Sequence, residues 1–339
     1  MQSQKGHHMY HSKLKHFVQA TLSVVFCFSG PMVLADTVTN YPQKPVRWII
    51  PTSPGAGTDT SARIFAQIAN EAWKQPVIPD NKPGASGMLG LDALYAAPAD
   101  GHTLAFMSVS QFIDATLLQK YQFDSAKDFT PITLLASTPL VLLTNNQSGI
   151  RSAAQLIAYS KDHPNEINYG SGGSGGLTHI AMEMFTSKAN IKLTHIPYKG
   201  SGPAVIDLLA GRVQLGYSTP PAVMQHIKSG RLIPLAVTTP HRFSQLPDVP
   251  TVSELGFSSA SITTWYGLFG PAKMNSALVE KIAQSLANEA RRTPATKDRI
   301  ITGGIDPVFG TPADFAASLK KEREQIIATA KLIGFEKEK

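Results

Sequence analysis

Cysteine is nearly missing from this 339-residue chain. The only one, Cys27, lies in an apolar run near the N-terminus, so a chain trimmed after that run carries no thiol. Disulfides, cysteine-ligated metals and a cysteine nucleophile are then excluded. No stretch reaches the ~20 apolar residues that a membrane-spanning helix needs. The best candidate, Phe17–Phe28, is short and is followed by Gly30 and Pro31. Acids are absent before Asp36, and lysines and arginines nowhere form a block. The formal charge of +7 includes Lys5, Lys13 and Lys15; the remainder carries +4. Nucleic-acid binding asks for a concentrated basic face, so no nucleic-acid partner is expected. Beyond residue 35 no H-x-x-x-H spacing or carboxylate cluster suggests a metal site. Neither a metal nor a cofactor is expected.

What is present begins with an export signal. Lys13 and Lys15 precede the apolar run, and Val33-Leu34-Ala35 offers a small-residue cleavage site before Asp36. Residues 1–35 therefore read as a cleaved signal peptide. A start at Met9 would give a 27-residue signal of ordinary length. A lipoprotein signal needs a small residue before the cysteine, where Phe26 stands. Export without disulfides suits a bacterial periplasm.

Strand and helix signals alternate over the rest of the chain. Val46–Ile50, Pro76–Pro79, Thr103–Met107, Leu140–Leu143, Ile191–Ile196, Val213–Tyr217 and Leu232–Val237 read as strands. After Pro51, Phe65, Ile68, Ala69 and Ala72 recur at helical spacing. Ser152 reads as the cap of a helix to about Asp162, and Asn275–Arg291 and Ala313–Ala330 as long amphipathic helices. Such alternation implies an α/β class with mostly parallel sheets. Turn-rich stretches at Gln147–Arg151 and Leu246–Phe257 suggest an inserted domain. The expected organisation is one lobe from 40–144 and 263–339, a second from 145–262, and a ligand cleft between them.

Glycine and hydroxyl residues gather where strands end. Ile49–Thr60 runs from a strand through Thr52, Ser53, Gly55 and Gly57 into a helix, with Thr58, Asp59 and Thr60 as cap chemistry. First-turn N–H groups lack helical partners, so such a junction attracts anions, carboxylates included. A dinucleotide fingerprint would need glycine where Thr60 stands. Asp59 is expected to hold its loop or cap its helix, not to act as a base. Asn168–His179 is a second such junction, in the other lobe. Gly170 and Gly173 offer bare N–H groups there, and Ser171, Ser174 and Thr178 offer hydroxyls. His179 is read either as hydrogen-bonded within its lobe or as touching ligand. The stretch also contains G-x-S-x-G at Gly172–Gly176, which would make Ser174 a hydrolase nucleophile with Asp207 and His226 or His241. The polar Glu166-Ile-Asn-Tyr169 before it is a poor match to the apolar strand that motif requires. Ser108 and Ser110, and Ser218 and Thr219, stand at further strand ends, where open α/β sheets place ligands.

These stretches together resemble the extracytoplasmic substrate-binding proteins of the tripartite tricarboxylate transporter family, the Bug group. The markers include Tyr41-Pro-Gln-Lys-Pro-Val-Arg47, Pro51–Asp59, Asn81-Lys-Pro-Gly-Ala-Ser-Gly87 and Ala99-Asp-Gly-His-Thr-Leu104. Asn168–His179, His195-Ile-Pro-Tyr-Lys-Gly-Ser-Gly-Pro203, Leu246-Pro-Asp-Val-Pro-Thr251 and Thr264-Trp-Tyr-Gly267 continue them in order. The resemblance implies a two-lobed, type II periplasmic-binding-protein-like α/β fold that closes over a small carboxylate. It implies ligand contacts from the Pro51–Thr60 loop on one side and the Ser171–His179 loop on the other, with bridging waters. It implies delivery by a monomeric receptor to the membrane components of a transporter. A carboxylate sensor for a membrane kinase and a secreted Ser174 hydrolase are the alternatives. The chain departs from the family pattern at Thr52, where an aromatic is common, at Ala56 in place of glycine, and at Ser218-Thr219 in place of an Asp-Asn pair.

Overall fold

The structure is a computed structural model that describes residues 38–117 and 127–332. The expected signal peptide lies outside the described residues. Contacts separate Met1–Tyr41 from Pro42–Lys339, and the fold below is that of the larger unit.

The first half alternates strand and helix: β1 (Val46–Ile50), α1 (Gly57–Trp73), β2 (Val77–Asn81), α2 (Met88–Tyr95), β3 (Thr103–Ser108), α3 (Val109–Leu117) and β4 (Phe129–Pro139). A second set follows: β5 (Val141–Asn145), α4 (Ala153–Asp162), β6 (Asn168–Ser171), α5 (Leu177–Ala189), β7 (Thr194–Pro197), α6 (Ser201–Leu209), β8 (Leu215–Ser218), α7 (Pro220–Lys228) and β9 (Leu232–Val237). The chain then returns through β10 (Thr263–Pro271), α8 (Ser276–Arg292), α9 (Pro294–Thr302), β11 (Asp306–Pro307) and α10 (Pro312–Leu332).

The strands form two sheets, in the orders β11-β4-β10-β3-β1-β2 and β7-β6-β8-β5-β9. The fold is a two-lobed α/β architecture. Most strands of each sheet share one direction; β10 and β11 oppose it in the first sheet and β5 in the second. β5 and β10 are also the strands that bring the chain across from the other lobe. β5 belongs wholly to the second sheet. A buried apolar run such as Val141–Leu143 fits either sheet, and only its pairing decides.

Local chemistry explains the main elements. Phe65, Ile68 and Ala69 of α1 are fully buried, as their spacing predicts. Ser152 caps α4 by accepting from the Gln155 N–H, and Asn275 caps α8. The expected cap of α1 is corrected: Thr58, Asp59 and Thr60 lie inside its first turn, and the N-cap is Ala56. An aromatic stack forms the centre of the first lobe. Phe106 on β3 packs against Trp48 of β1 (centroids 5.9 Å), Phe65 of α1 (5.8 Å) and Tyr266 of β10 (5.7 Å). Burying rings of this size contributes on the order of 2–3 kcal/mol each. The stack also holds Tyr266 by its ring.

Candidate functional site

Five strand-to-helix junctions open on one cavity of about 50 Å³. The first lobe supplies Gly57 and Thr58 at the start of α1, and Ser108 and Ser110 at the start of α3. The second lobe supplies Leu177 and Thr178 on α5, Ser201 on α6, and Ser218 and Thr219 before α7. Thr264 and Tyr266 of β10 and Leu140 at the crossing complete the wall. None of these lining residues is ionisable at neutral pH. Burial pushes the Tyr266 phenol up to about 12, so it stays a neutral donor. It donates to Thr219 Oγ1 at 3.1 Å, from one lobe to the other.

Four of the five helices facing the cavity begin unlike those elsewhere. The N-caps of α1, α5, α6 and α7 are Ala56, Gly176, Gly200 and Thr219, and none of these side chains bonds a first-turn N–H. The helices α4, α8, α9 and α10 are capped by Ser152, Asn275, Thr293 and Thr311. (α2 also lacks a side-chain cap, but it continues from a turn of 3-10 helix at Ala85–Gly87.) Each helix start carries about half a positive charge. Aimed together into a lining with no cation, these ends make a site for an anion held by backbone donors and hydroxyls.

The lobes meet closely around this cavity. A Cβ on Gly202 would stand 2.7 Å from the Pro54 carbonyl oxygen, and one on Gly57 would collide with Thr219. Gln245 Nε2 of the second lobe donates to the Ile301 carbonyl of the first. Ser53 sits against the Gly200–Gly202 turn.

Seven of the residues expected from the sequence line the cavity: Gly57, Thr58, Ser108, Ser110, Thr178, Ser218 and Thr219. The others stand around it or behind it. Thr52 and Ser53 are half-buried in the first loop, and neither hydroxyl has a hydrogen-bond partner among the described residues. Gly55 turns that loop at φ +78 and donates its N–H to Asp59 Oδ2 at 2.9 Å. Asp59 is 4% exposed and also accepts from Asn81 Nδ2 (2.9 Å) and Arg63 Nε (3.0 Å). It braces the loop, in line with the structural role expected of it.

The glycine-rich loop is organised by histidines. Ser171 Oγ lies 2.6 Å from His195 Nε2. His179 Nδ1 accepts the Gly175 N–H at 3.0 Å, and Thr178 Oγ1 accepts the Gly172 N–H at 2.9 Å. The rings of Tyr169, His195 and His179 stack in that order, with centroids 4.9 and 4.0 Å apart. Burial first, then the neighbouring His179, hold the His195 imidazole below its ordinary range, against the opposing pull of Glu183. Gly170 packs against Tyr198 and Ala204, and Gly173 has φ +139. Ser174 is exposed and does not line the cavity. It bonds neither His226 nor His241 among the described residues, and Asp207 is held by Tyr198 (2.8 Å) and Arg212 (2.7 Å). The hydrolase triad is not assembled. Ser201, Thr264, Tyr266, Leu140 and Leu177 were not anticipated. Only Ser201 had a local signal, the Lys199-Gly-Ser-Gly-Pro203 helix start.

Two α/β lobes closed over a neutral, donor-lined cleft define a solute-binding receptor. Comparison with known proteins agrees. The chain belongs to the tripartite tricarboxylate transporter family receptors, whose family model matches residues 61–332. It is 34% identical to Protein BugT of Bordetella pertussis over 282 residues, 83% of this chain and 85% of BugT. The structure of the periplasmic binding protein BugD superposes with a TM-score of 0.82 at 27% identity, covering 88% of this chain and all of that one. An R. palustris protein solved with adipate gives a TM-score of 0.81 at 28% identity, over 87% of this chain and 98% of its own. The family is one of binding receptors, not of enzymes. No helix among the described residues is long and apolar enough to cross a membrane.

Proposed function

We propose that the protein is a periplasmic receptor that captures a small carboxylate between its lobes and delivers it to the membrane components of a tripartite tricarboxylate-type transporter. It is exported by a cleaved signal peptide and works as a monomer. The observation that carries this reading is the convergence of uncapped helix starts from both lobes on a cavity without acidic groups. An acid bound there satisfies amides of both lobes in the closed form and of only one lobe in the open form. Binding therefore favours closure. The ligand-binding set is Thr52, Ser53, Gly55, Gly57, Thr58 and Asp59 with Ser108 and Ser110 on one side. Gly170, Ser171, Gly173, Ser174, Thr178, His179, Ser218 and Thr219 form the other. The cavity-lining members make the contacts, and the rest shape the loops. The adipate held by a relative of similar fold supports a carboxylate ligand.

The test is a thermal-shift screen of carboxylates on the purified protein at fixed pH, followed by calorimetry. A ligand at a hundredfold excess over Kd should stabilise the fold by about 2.7 kcal/mol. Stabilisation by amines or neutral sugars, with none by any carboxylate, would refute the reading.

A further inference from the structure

A titratable ring ties the glycine-rich loop to the start of α5. His179 is the third residue of that helix, and its Nδ1 accepts the Gly175 N–H at 3.0 Å. A backbone N–H only donates, so Nδ1 carries no proton while this bond stands. The arrangement is a variant of the capping box, in which a side chain at the third helical position reaches back to the main chain. Here it reaches one residue beyond the N-cap Gly176. Glutamate or glutamine in that place keeps its acceptor at mildly acid pH, whereas an imidazole loses it near pH 6.5. A proton on Nδ1 would face the Gly175 N–H, donor against donor, beside a helix start of positive potential. One of the two has to turn away, and the loop has the glycines to do it, with Gly173 and Gly175 at φ +139 and +77. Its movement reaches the cavity, because Gly172 donates to Thr178 Oγ1 at 2.9 Å and Thr178 lines the wall.

The surroundings direct the first proton to His179. Its side chain is 24% exposed, and Nε2 lies 3.8 Å from Glu183 Oε1 on the same helix. His195 of β7 stacks on it and is held below its ordinary range by burial and then by His179, so the two rings do not both charge. Tyr169 of β6 donates to Glu183 Oε1 at 2.6 Å, and Tyr217 of β8 is a buried phenol; burial pushes both phenols up, and both stay neutral. Lys199 is exposed on the turn whose Gly200 N–H bonds the Gly172 carbonyl. Among the described side chains, those of α3 and of the 3-10 turn Ser258–Ala260, which also pack on α5, include no acid or base.

We infer that His179 is a positioning residue for the cleft: its neutral ring holds the glycine-rich loop and the start of α5 in their cavity-lining form, and acidification releases them. This goes beyond the proposed function and holds whichever solute the cleft takes.

The experiment follows the unliganded protein by NMR between pH 8 and 5.5, with 15N-labelled glycine and labelled histidine rings. Three forms are compared: wild type, His179→Asn, whose side-chain oxygen replaces Nδ1 without titrating, and His179→Ala, which has no acceptor. The exchange rate of the Gly175 amide in wild type is divided by that in His179→Asn at the same pH, which cancels the intrinsic pH dependence of exchange. This ratio should rise roughly tenfold across the range, as expected when an opened loop frees a histidine that titrates near pH 6.5. The Gly172 amide should shift with the same midpoint, and that midpoint should match the His179 ring. In His179→Ala the Gly175 amide should exchange fast at every pH. A ratio constant within twofold overturns the inference. So does an equal Gly175 transition in His179→Asn, or one that tracks the His195 ring and not the His179 ring. Each of these outcomes leaves the carboxylate reading standing. If His179→Asn does not fold, the match or mismatch of the Gly175 and His179 midpoints in wild type decides.

Discussion

Replacing Gly202 by alanine should separate closure from folding. Gly202 sits in the first turn of α6 with a backbone outside the left-handed region, so alanine is conformationally acceptable there. In the closed form its methyl would stand 2.7 Å from the Pro54 carbonyl oxygen, 3.2 Å from Ser53 Oγ and 3.3 Å from the Ala56 nitrogen. Two of these are backbone atoms of the opposite lobe and cannot swing aside as a side-chain tip can. Overpacking of this kind costs about 1–3 kcal/mol. In an open form the clash is absent, and alanine gains about 0.4–1 kcal/mol over glycine by restricting the unfolded chain. The variant should therefore bind its best carboxylate roughly 5- to 150-fold more weakly, with an unliganded melting temperature unchanged or slightly higher. Calorimetry gives the affinity, thermal unfolding the stability, and solution scattering the shift toward an extended, open shape. Affinity within twofold of wild type would refute the claim that these two loops meet when ligand is held. A sharply lowered melting temperature without ligand would show that Gly202 serves the fold and not the closure.

Other substitutions test neighbouring parts of the argument. Asp59→Asn should loosen the first loop, because its carboxylate accepts from Gly55, Asn81 and Arg63. The expected loss is about 1.5–3 kcal/mol, read by urea unfolding and by faster exchange of the Gly55 amide; full stability with a protected Gly55 would show the charge is dispensable. His195 ionises below its ordinary range when folded, so the unfolded chain takes up a proton first on acidification. Its contribution is intact above about pH 6.5 and is lost as pH falls from there through the depressed value. Unfolding measured between pH 7.5 and 5 should show a steeper fall for wild type than for His195→Asn, and identical slopes would contradict the assignment. Ser174→Ala should leave carboxylate affinity within twofold, and a fluorophosphonate should leave Ser174 unlabelled; labelling would revive the hydrolase reading.

Elements whose instructions are local were readable before any coordinates. The stripe Phe65, Ile68, Ala69 and the cap Ser152 each act within a turn or two of chain, and each appears as expected. The strands β4 and β10 were passed over for a physical reason. Their pairing carries irregularities after Tyr266 and after Leu268, and β10 is buried at every position but its first, so neither strand alternates cleanly. The site divides along the same line. Strand-end residues such as Gly57, Ser108 and Ser218 announce themselves by being small or hydroxylic where a strand stops. Thr264 and Tyr266 sit inside a strand that looks like core, and they matter only because that strand returns from the other lobe. The glycine-rich loop misleads in the opposite direction. It resembles an anion cradle throughout, yet Gly170 and Gly172 are spent on packing against Tyr198 and Ser201, and Ser174 is exposed and does not line the cavity.

The unfinished helix ends around the cleft have a consequence for how such a receptor changes over time. Main-chain amides cannot be deleted by exchanging one residue for another, proline apart, so the proposed hold on an acid group would persist whatever side chains surround it. Substitutions among the serines and threonines between those ends can then retune which acid is preferred, step by step, without passing through an ancestor that grips nothing.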